Sequence, residues 1–387
     1  MLKKTIICIL AMILIASNVY AYGEESTSIT TKEVRMESGD DVIAYPQLSG
    51  MENQEIQKKI NDDILLSANI TKHYITLSTL KDSLWGLKVI YQEYLQNDIY
   101  SVVISAYGKM PNNREGHAYT ALSYDLTTGE RLTLNDLFTD VQNAAEVMEG
   151  IAVATLSDEL SSYMDNSEIT PLPVDSFAID QDGITFYYPS DQFGLLSGYS
   201  GACQFYYEEL AGLLREDEQG VAARIGVLPQ TYTVSETKKL IEESVTSGEL
   251  PHVPAKLDES MTALIDQYRL VRTPDTFPGG RYYLIESPQF RQVLIISDSI
   301  EAGYDHSVIE GIQLKRGGLY GLIIGETKQS TWHEALGEPD QVITFTENMA
   351  YDYNLPIGQS DLYHYGTYEL RLHSNDEGVL ASIQINK

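Results

Sequence analysis

Four short clusters in this chain carry side chains that could do chemistry. Ser197-Gly-Tyr-Ser200-Gly201 has the serines and glycines of a nucleophile elbow, where a sharp turn exposes a hydroxyl for acyl transfer. That motif needs one residue between the serine and the second glycine, and here the two are adjacent. His333-Glu334 begins as zinc-protease helices do, an imidazole ligand beside a carboxylate base, but Gly337 stands where the second histidine has to be. Glu208-Glu209 and Asp62-Asp63 supply adjacent carboxylates, and neighbouring side chains on a helix or strand do not converge on one reacting atom. His73, His117, His252, His306, His333, His364 and His373 are scattered without ligand spacing. The residues thus name no catalytic group, no metal site and no cofactor.

Binding chemistry is better represented. The chain holds 27 tyrosines, and in Tyr187-Tyr188 and Tyr206-Tyr207 strand alternation sends one ring inward and the other outward. The outward pair, Tyr187 and Tyr206, could stack on sugars or anchor a protein partner. The charge is strongly one-sided: 26 Lys and Arg against 56 Asp and Glu, a formal net charge of -30. Between Arg131 and Arg215 there are 14 Asp and Glu and no Lys or Arg. Such a field repels nucleic acid and speeds encounter with cationic partners, although it also simply keeps a protein soluble. Asp158 and Glu159 within this stretch, with His117 near its start, complete the candidate surface; a structural hydrogen bond is the alternative role for His117.

The positioning elements follow from patterning. Lys3 and Lys4, the apolar run Ile6 to Ala16, and Val19-Tyr20-Ala21 read as a secretory signal peptide over residues 1–21, cleaved after Ala21. The expected location is extracellular or at the cell surface, with no membrane span once the signal is removed. Cys8 leaves with it, so Cys203 has no internal partner and reads as a small buried hydrophobe. Residues 22–40 are polar and read as a flexible segment. Ile56, Ile60 and Ile64 mark an amphipathic helix. "LKVIYQEYL" and "IYSVVISAYGKM" are strands around a Gln96-Asn97-Asp98 turn, and "HAYTALSYDL" and "ERLTL" form the next hairpin. Asn135 is the expected cap of a long helix to about Met164. "SFAIDQDGITFYYP" is a hairpin, and "CQFYYEELAGLL" a strand with a short helix. After a boundary at Asp217 to Gln230, Thr233 and Glu236 form a capping box, and Thr327 is the expected cap of a helix stopped by Gly337. The fold class is α+β, with mainly antiparallel sheets and packed helices. The expected organisation is a module over 41–216 with two subdomains breaking near 138–145, a linker and helix over 217–256, and a C-terminal α+β domain over 257–387.

Four pieces, in order, resemble a known family. They are "YPQLSG…IQKKIN" (Tyr45 to Asn61), "SVVISAYG…GHAYTALSYDLTTGERLTLNDLF" (Ser101 to Phe138), "FAIDQDGITFYYP" (Phe177 to Pro189) and "GYSGACQFYYEEL" (Gly198 to Leu210). Together they are similar to the extracellular domain of RsiV-type anti-sigma factors, which sense lysozyme, and to the non-catalytic domain that precedes the catalytic part of some peptidoglycan deacetylases. The resemblance implies an α+β module of the cell envelope. The chain departs from both relatives: the signal peptide leaves no cytoplasmic sigma-binding segment, and the deacetylase Asp-Asp and His-x-x-x-His elements are missing. "GLIIGETKQSTWHEALGEPDQVI" is similar to units of small secreted modules of the β-lactamase-inhibitor type.

The expected function is therefore a secreted or envelope-associated, non-catalytic binding protein of a bacterium, recognising a cationic protein such as lysozyme or a cell-wall component. The alternative is a cell-wall glycan hydrolase or deacetylase-like enzyme whose site is assembled from distant residues.

Overall fold

The computed structural model describes residues 29–73, 86–109, 115–160, 171–188, 201–268, 270–277, 280–285, 293–297, 307–353 and 355–387. The chain is α+β and divides into two units, Met1–Ala202 with Leu213–Val227, and Cys203–Gly212 with Leu228–Lys387. Among the described residues no helix is long and apolar enough to cross a membrane. The expected signal peptide and Ser197 and Ser200 lie outside the described residues.

The first unit is built on a six-stranded sheet in sequential order: β1 (Thr30–Ser38), β2 (Asp41–Ser49), β3 (Gly86–Gln96), β4 (Ile99–Lys109), β5 (Glu115–Asp125) and β6 (Glu130–Arg131). All neighbours are antiparallel except β2 and β3. Strand β1 occupies the stretch expected to be loose: its polar side chains are tolerated because it pairs along its whole length with β2, an edge position needing little burial. Helix α1 (Gln54–Ser67) crosses the sheet and buries Ile60 and Ile64 against Ile43, Val89, Tyr100 and Val102. Asn53 starts it by accepting from the amides of Glu55 and Ile56 at 3.1 and 3.2 Å.

The β5–β6 turn, "DLTTG", shows why its residues are what they are. Asp125 Oδ1 accepts from the Thr127 amide at 2.8 Å, and the Gly129 amide donates to the Asp125 carbonyl at 2.7 Å. Gly129 has φ +70°, and a Cβ there would meet Ile56 Cγ2 at 2.8 Å, so turn geometry and helix packing both demand glycine. Asn135, the expected helix cap, instead lies inside the single turn α2 (Leu134–Leu137). Thr133 precedes that turn, donating from its amide and hydroxyl to Asp136 Oδ2 at 2.7 and 2.8 Å. The long helix α3 (Val141–Leu160) starts separately, with the Asn143 amide donating to Asp140 Oδ1. Hairpin β7 (Phe177–Ile179) and β8 (Gly183–Tyr187) turns as expected, Asp180 Oδ1 accepting from the amides of Asp182 and Gly183. Arg224, in the short helix α4 (Val221–Ile225), closes the unit by pairing with Asp98 and Asp125 at 2.7 and 2.8 Å.

The second unit is organised by an eight-stranded antiparallel sheet of β10 (Leu270–Phe277), β11 (Gly280–Ile285), β12 (Val293–Ser297), β13 (Gly311–Leu314), β16 (Gln341–Phe345), β17 (Gly358–Tyr365), β18 (Tyr368–Asn375) and β19 (Leu380–Asn386). Their order is β10-β11-β12-β13-β19-β18-β17-β16. Helix α5 (Val234–Ser247), in the segment expected as a linker and helix, packs Ile241 and Val245 into this unit's core. The Thr233–Glu236 capping box forms as expected, with the Thr233 amide donating to Glu236 at 2.8 Å and the Glu236 amide returning to the Thr233 hydroxyl at 3.3 Å. Helix α6 (Met261–Ile265) buries Met261 and Leu264, and α7 (Gln329–Leu336) buries Trp332. Gly337 stops α7 at φ +87°, but Lys328 rather than Thr327 precedes it. The Thr327 hydroxyl is occupied by the Ile323 amide at 2.7 Å. Strand β17 and helix α8 (Glu347–Tyr353) have no counterpart in the patterning; "GQSDLYHY" mixes polar and apolar positions because its buried ones include Ser360 and Asp361.

Candidate functional site

The last matching piece of the sequence, "ACQFYYEEL", forms β9 (Ala202–Tyr206) followed by a tight turn, Tyr207–Leu210. Every residue of β8 and of β9 is buried. The expected outward rings are therefore inside: Tyr187 is 4% exposed and Tyr206 8%. Alternation predicts an exposed face only where a strand has one, and strands covered on both sides have none. Tyr187 packs on Tyr119 with ring centroids 5.2 Å apart, in a cluster with Val103, Ala121 and Ala202. Burial raises its hydroxyl well above the ordinary range, with Asp180 and Tyr119 adding to the effect. Nearby Tyr94 is pushed up to about 12 by burial and then by Asp180 and Asp182. Of the other candidates, His117 lies on β5 opposite Tyr107, and Asp158 and Glu159 lie in α3, but these three side chains fall outside the described residues.

The adjacent carboxylates have separate roles, as their spacing implied. Lys58 takes Asp62 one helical turn away. Asp63 receives two bonds from Arg131 at 2.7 Å and one from the Tyr124 hydroxyl at 2.9 Å. Arg131 holds the Asp63 carboxyl below its usual range, outweighing burial. Glu209 is clasped by Arg316, with Nε to Oε1 at 3.2 Å and Nη2 to Oε2 at 2.8 Å, while the Tyr206 and Gly317 amides donate to the same carboxylate at 3.0 and 3.1 Å. The guanidinium also donates to the Gln204 carbonyl at 2.8 Å, lies 3.5 Å from Cys203 Sγ, and stands over the Phe205 ring at 5.6 Å. Burial alone lowers the Arg316 pKa, but Glu209 more than reverses this, leaving the group raised and charged. Neither Arg316 nor the bulk of Glu209 is available to solvent, the side chains being 10% and 8% exposed. No local pattern could have joined residues 107 positions apart.

Glu208 is placed differently. It borders a small depression of about 10 Å³ that Tyr206, His252, Val253, Arg316, Gly317 and Gly318 also line. His252 holds a positive φ of 59°, and its ring lies 6.3 Å from that of Tyr206. Histidine tolerates this conformation better than most side chains, at a modest cost.

The histidine of the zinc-like motif serves another arrangement. His333 Nε2 donates to Asp361 Oδ2 at 2.7 Å, because an ionised carboxylate can only accept. Trp332 Nε1 and Gln329 Nε2 donate to the same oxygen at 2.9 and 3.0 Å, and Gln359 Nε2 to the other at 3.0 Å. Asp361 is completely buried. Burial pushes its carboxyl up, but the bonds from Gln329, Gln359, Trp332 and His333 outweigh it and leave the group below the usual carboxylate range. Four donors saturate the carboxylate, so its chemistry is to pin α7 to β17. Among the described residues no group of three or more His, Cys, Asp or Glu could hold a metal ion.

No family model matches the chain, and no curated protein matches it. Solved structures do align. A DUF3298 family member from Bacteroides fragilis NCTC 9343 has 14% identity and a TM-score of 0.35, over 52% of this chain and 99% of that one. A DUF3298 family protein from Pseudomonas aeruginosa PAO1 has 11% identity and a TM-score of 0.34, over 54% of this chain and 99% of that one. A DUF4309 family protein from Bacillus subtilis subsp. subtilis str. 168 has 13% identity and a TM-score of 0.25, over 40% of this chain and 97% of that one.

Proposed function

We propose that this chain is an exported, envelope-associated bacterial binding protein that recognises a cationic protein and does no chemistry on it. The observation that carries the reading is charge. The chain has a net charge of -30, and 14 acidic residues with no basic one lie between Arg131 and Arg215. Described carboxylates of this region and its continuation in the first unit, Asp140, Glu146, Asp175, Glu216 and Glu218, are exposed. A surface of this sign accelerates encounter with basic proteins and rejects acidic polymers. The resemblance to the RsiV-type module makes lysozyme, a basic protein, the natural first probe, and the signal-peptide pattern supports export. The deciding experiment is a binding titration of the exported chain with lysozyme at low ionic strength and again near physiological ionic strength, with an acidic protein as control. Association that weakens as salt shortens the Debye length to about 8 Å is expected. Absence of association at both ionic strengths would refute recognition of this partner.

A further inference from the structure

We propose that the outer edge of β16 receives an extended, basic segment of the cationic partner as a further strand of the sheet. Main-chain hydrogen bonds supply the affinity, and lysine or arginine side chains at the ends of the segment supply the selection. This names the contact through which the binding function proposed above operates, and it rests on that reading.

Edge strands present unpaired amides and carbonyls, and folds blunt them with charge, proline, bulges or covering elements. The edges of the sheets differ in this respect. Strand β1 carries Lys32, Glu33, Arg35 and Glu37 along its length. Strand β10 contains Arg272, Pro274 and Asp275, breaks register between Arg272 and Thr276, and has α8 against it. Strand β6 and the ribbon of β14 (Gly318–Leu319) and β15 (Leu322–Ile323) are only two residues long, too short to template a partner. Strand β16 has none of these devices. It reads Gln-Val-Ile-Thr-Phe, pairs with β17 on one side and ends the sheet on the other. Gln341, Val342 and Thr344 are exposed, Val342 by 47%, and Ile343 is half-buried. Phe345 alone is buried, with its ring 5.6 Å from that of Tyr353 in α8. Every second residue of such a strand turns its amide and carbonyl away from β17. Ile357, next to the Gly358 that pairs with Phe345, is 51% exposed and extends the apolar surface.

Charge selects the occupant. From Gln329 to Leu370, the stretch that contains α7, β16, α8 and β17, there are seven Asp and Glu and no Lys or Arg. Glu338 and Glu347, just outside the two ends of β16, are exposed. Asp340 is exposed as well, and the His364 amide and ring hold its carboxyl below the usual range, so it stays ionised at neutral pH. A segment with an uncharged middle and basic ends therefore meets backbone hydrogen-bonding groups at its centre and carboxylates at both ends. A second copy of the chain brings its own net charge of -30 and the same acidic strand ends, which disfavours self-pairing.

The test uses the full exported chain and the peptide acetyl-Lys-Arg-Val-Thr-Val-Thr-Val-Arg-Lys-amide, with binding read by titration and by amide hydrogen exchange. A control peptide is N-methylated at its Val and Thr residues, which removes their donors and keeps every charge. The unmethylated peptide is expected to bind, to slow exchange within β16, and to lose roughly tenfold or more in affinity on methylation. Val342→Lys, checked for unchanged melting, puts a like charge on the edge and should weaken peptide and lysozyme binding by roughly tenfold or more. Val174→Lys, the same charge on an exposed site of the first unit, should change neither by more than about twofold. Equal binding of the methylated peptide, or slowed exchange that spares β16, overturns the docking strand. A concentration-dependent dimer that Val342→Lys dissolves also overturns it, by giving the edge to a second copy. Should Val342→Lys fail to fold, the two peptides on the unmodified chain decide alone. Lysozyme affinity that is equal in wild type and a folded Val342→Lys removes β16 as the docking edge and keeps the function. Peptide captured on β16 by a chain that ignores lysozyme keeps the edge and removes that partner.

Discussion

Replacing Asp361 by asparagine tests whether a saturated carboxylate holds α7 to the sheet. Asp361 is fully buried, and its Oδ2 accepts from Trp332, Gln329 and His333 at 2.7–3.0 Å while Oδ1 accepts from Gln359. In Asp361→Asn, the amide oxygen can keep the three-donor position and the amide nitrogen can face a flipped Gln359 side chain, so the shape survives. What disappears is the charge. Charge-assisted bonds are about twice as strong as neutral ones, and bonds to charged groups contribute about 1.5–3 kcal/mol each. Halving three of them, offset by the lower desolvation cost of an amide, gives a loss of roughly 2–3 kcal/mol. Asp361→Ala strands four donors, including the indole of a fully buried tryptophan, and should cost about 4–5 kcal/mol. The folded-state carboxyl lies below its unfolded value of about 3.9. Its contribution is therefore complete above that unfolded value and disappears as pH falls through the lower folded one. The wild-type advantage over Asp361→Asn should be flat from neutral pH to about pH 5 and shrink below about pH 4. Denaturant unfolding followed by Trp332 emission, in a Trp85→Phe background so that one indole reports, measures both quantities. A difference under about 0.5 kcal/mol at pH 7, the scale of an ordinary surface change, or an advantage that grows on acidification, would refute the pinning role.

Glu209→Gln leaves Arg316 buried without its counter-charge and should destabilise the second unit by about 3–5 kcal/mol, read as a lowered urea midpoint. Gly129→Ala has to hold alanine at φ +70° and displace Ile56 from 2.8 Å; a loss of about 2 kcal/mol in the first unit is expected by the same measurement. Export with cleavage after Ala21 predicts a mature chain starting at Tyr22, which intact-mass measurement of the secreted protein checks to a single residue.

The local rules were readable in the residues themselves. Ile60 and Ile64 face the core, Asn97 with a φ of 54° turns β3 into β4, the Thr233–Glu236 box starts its helix, and Gly337 ends another. Each is decided within a few positions. The failures share the opposite property. Period-two alternation points Tyr187 and Tyr206 outward because it knows nothing of a second covering layer, and both rings are buried. Strand β17 was invisible because its buried Asp361 mimics a solvent-facing position, and only donors from α7, about 30 residues earlier in sequence, make that burial possible. Arg316 and Glu209 likewise carry no signal until the chain brings them together.

This division bears directly on the choice between binding and catalysis. A catalytic carboxylate has to exchange protons or bond with substrate, so it needs an unfilled lone pair and a path to solvent. Asp361 is sealed and accepts four bonds; Glu209 accepts from Arg316 and two backbone amides; Asp63 accepts from Arg131 and Tyr124. Each has spent its acceptor capacity on holding the fold. Glu208 borders a small depression, and its immediate carboxylate neighbour, Glu209, is turned to Arg316. Glycoside cleavage needs two carboxylates facing each other across the bond, and Glu209, clasped by Arg316, is not available as the second. Glu208→Gln tests the hydrolase alternative directly: loss of turnover on cell-wall glycan would supply the catalytic carboxylate it requires, and unchanged turnover, or none in the wild type, removes Glu208 from that role.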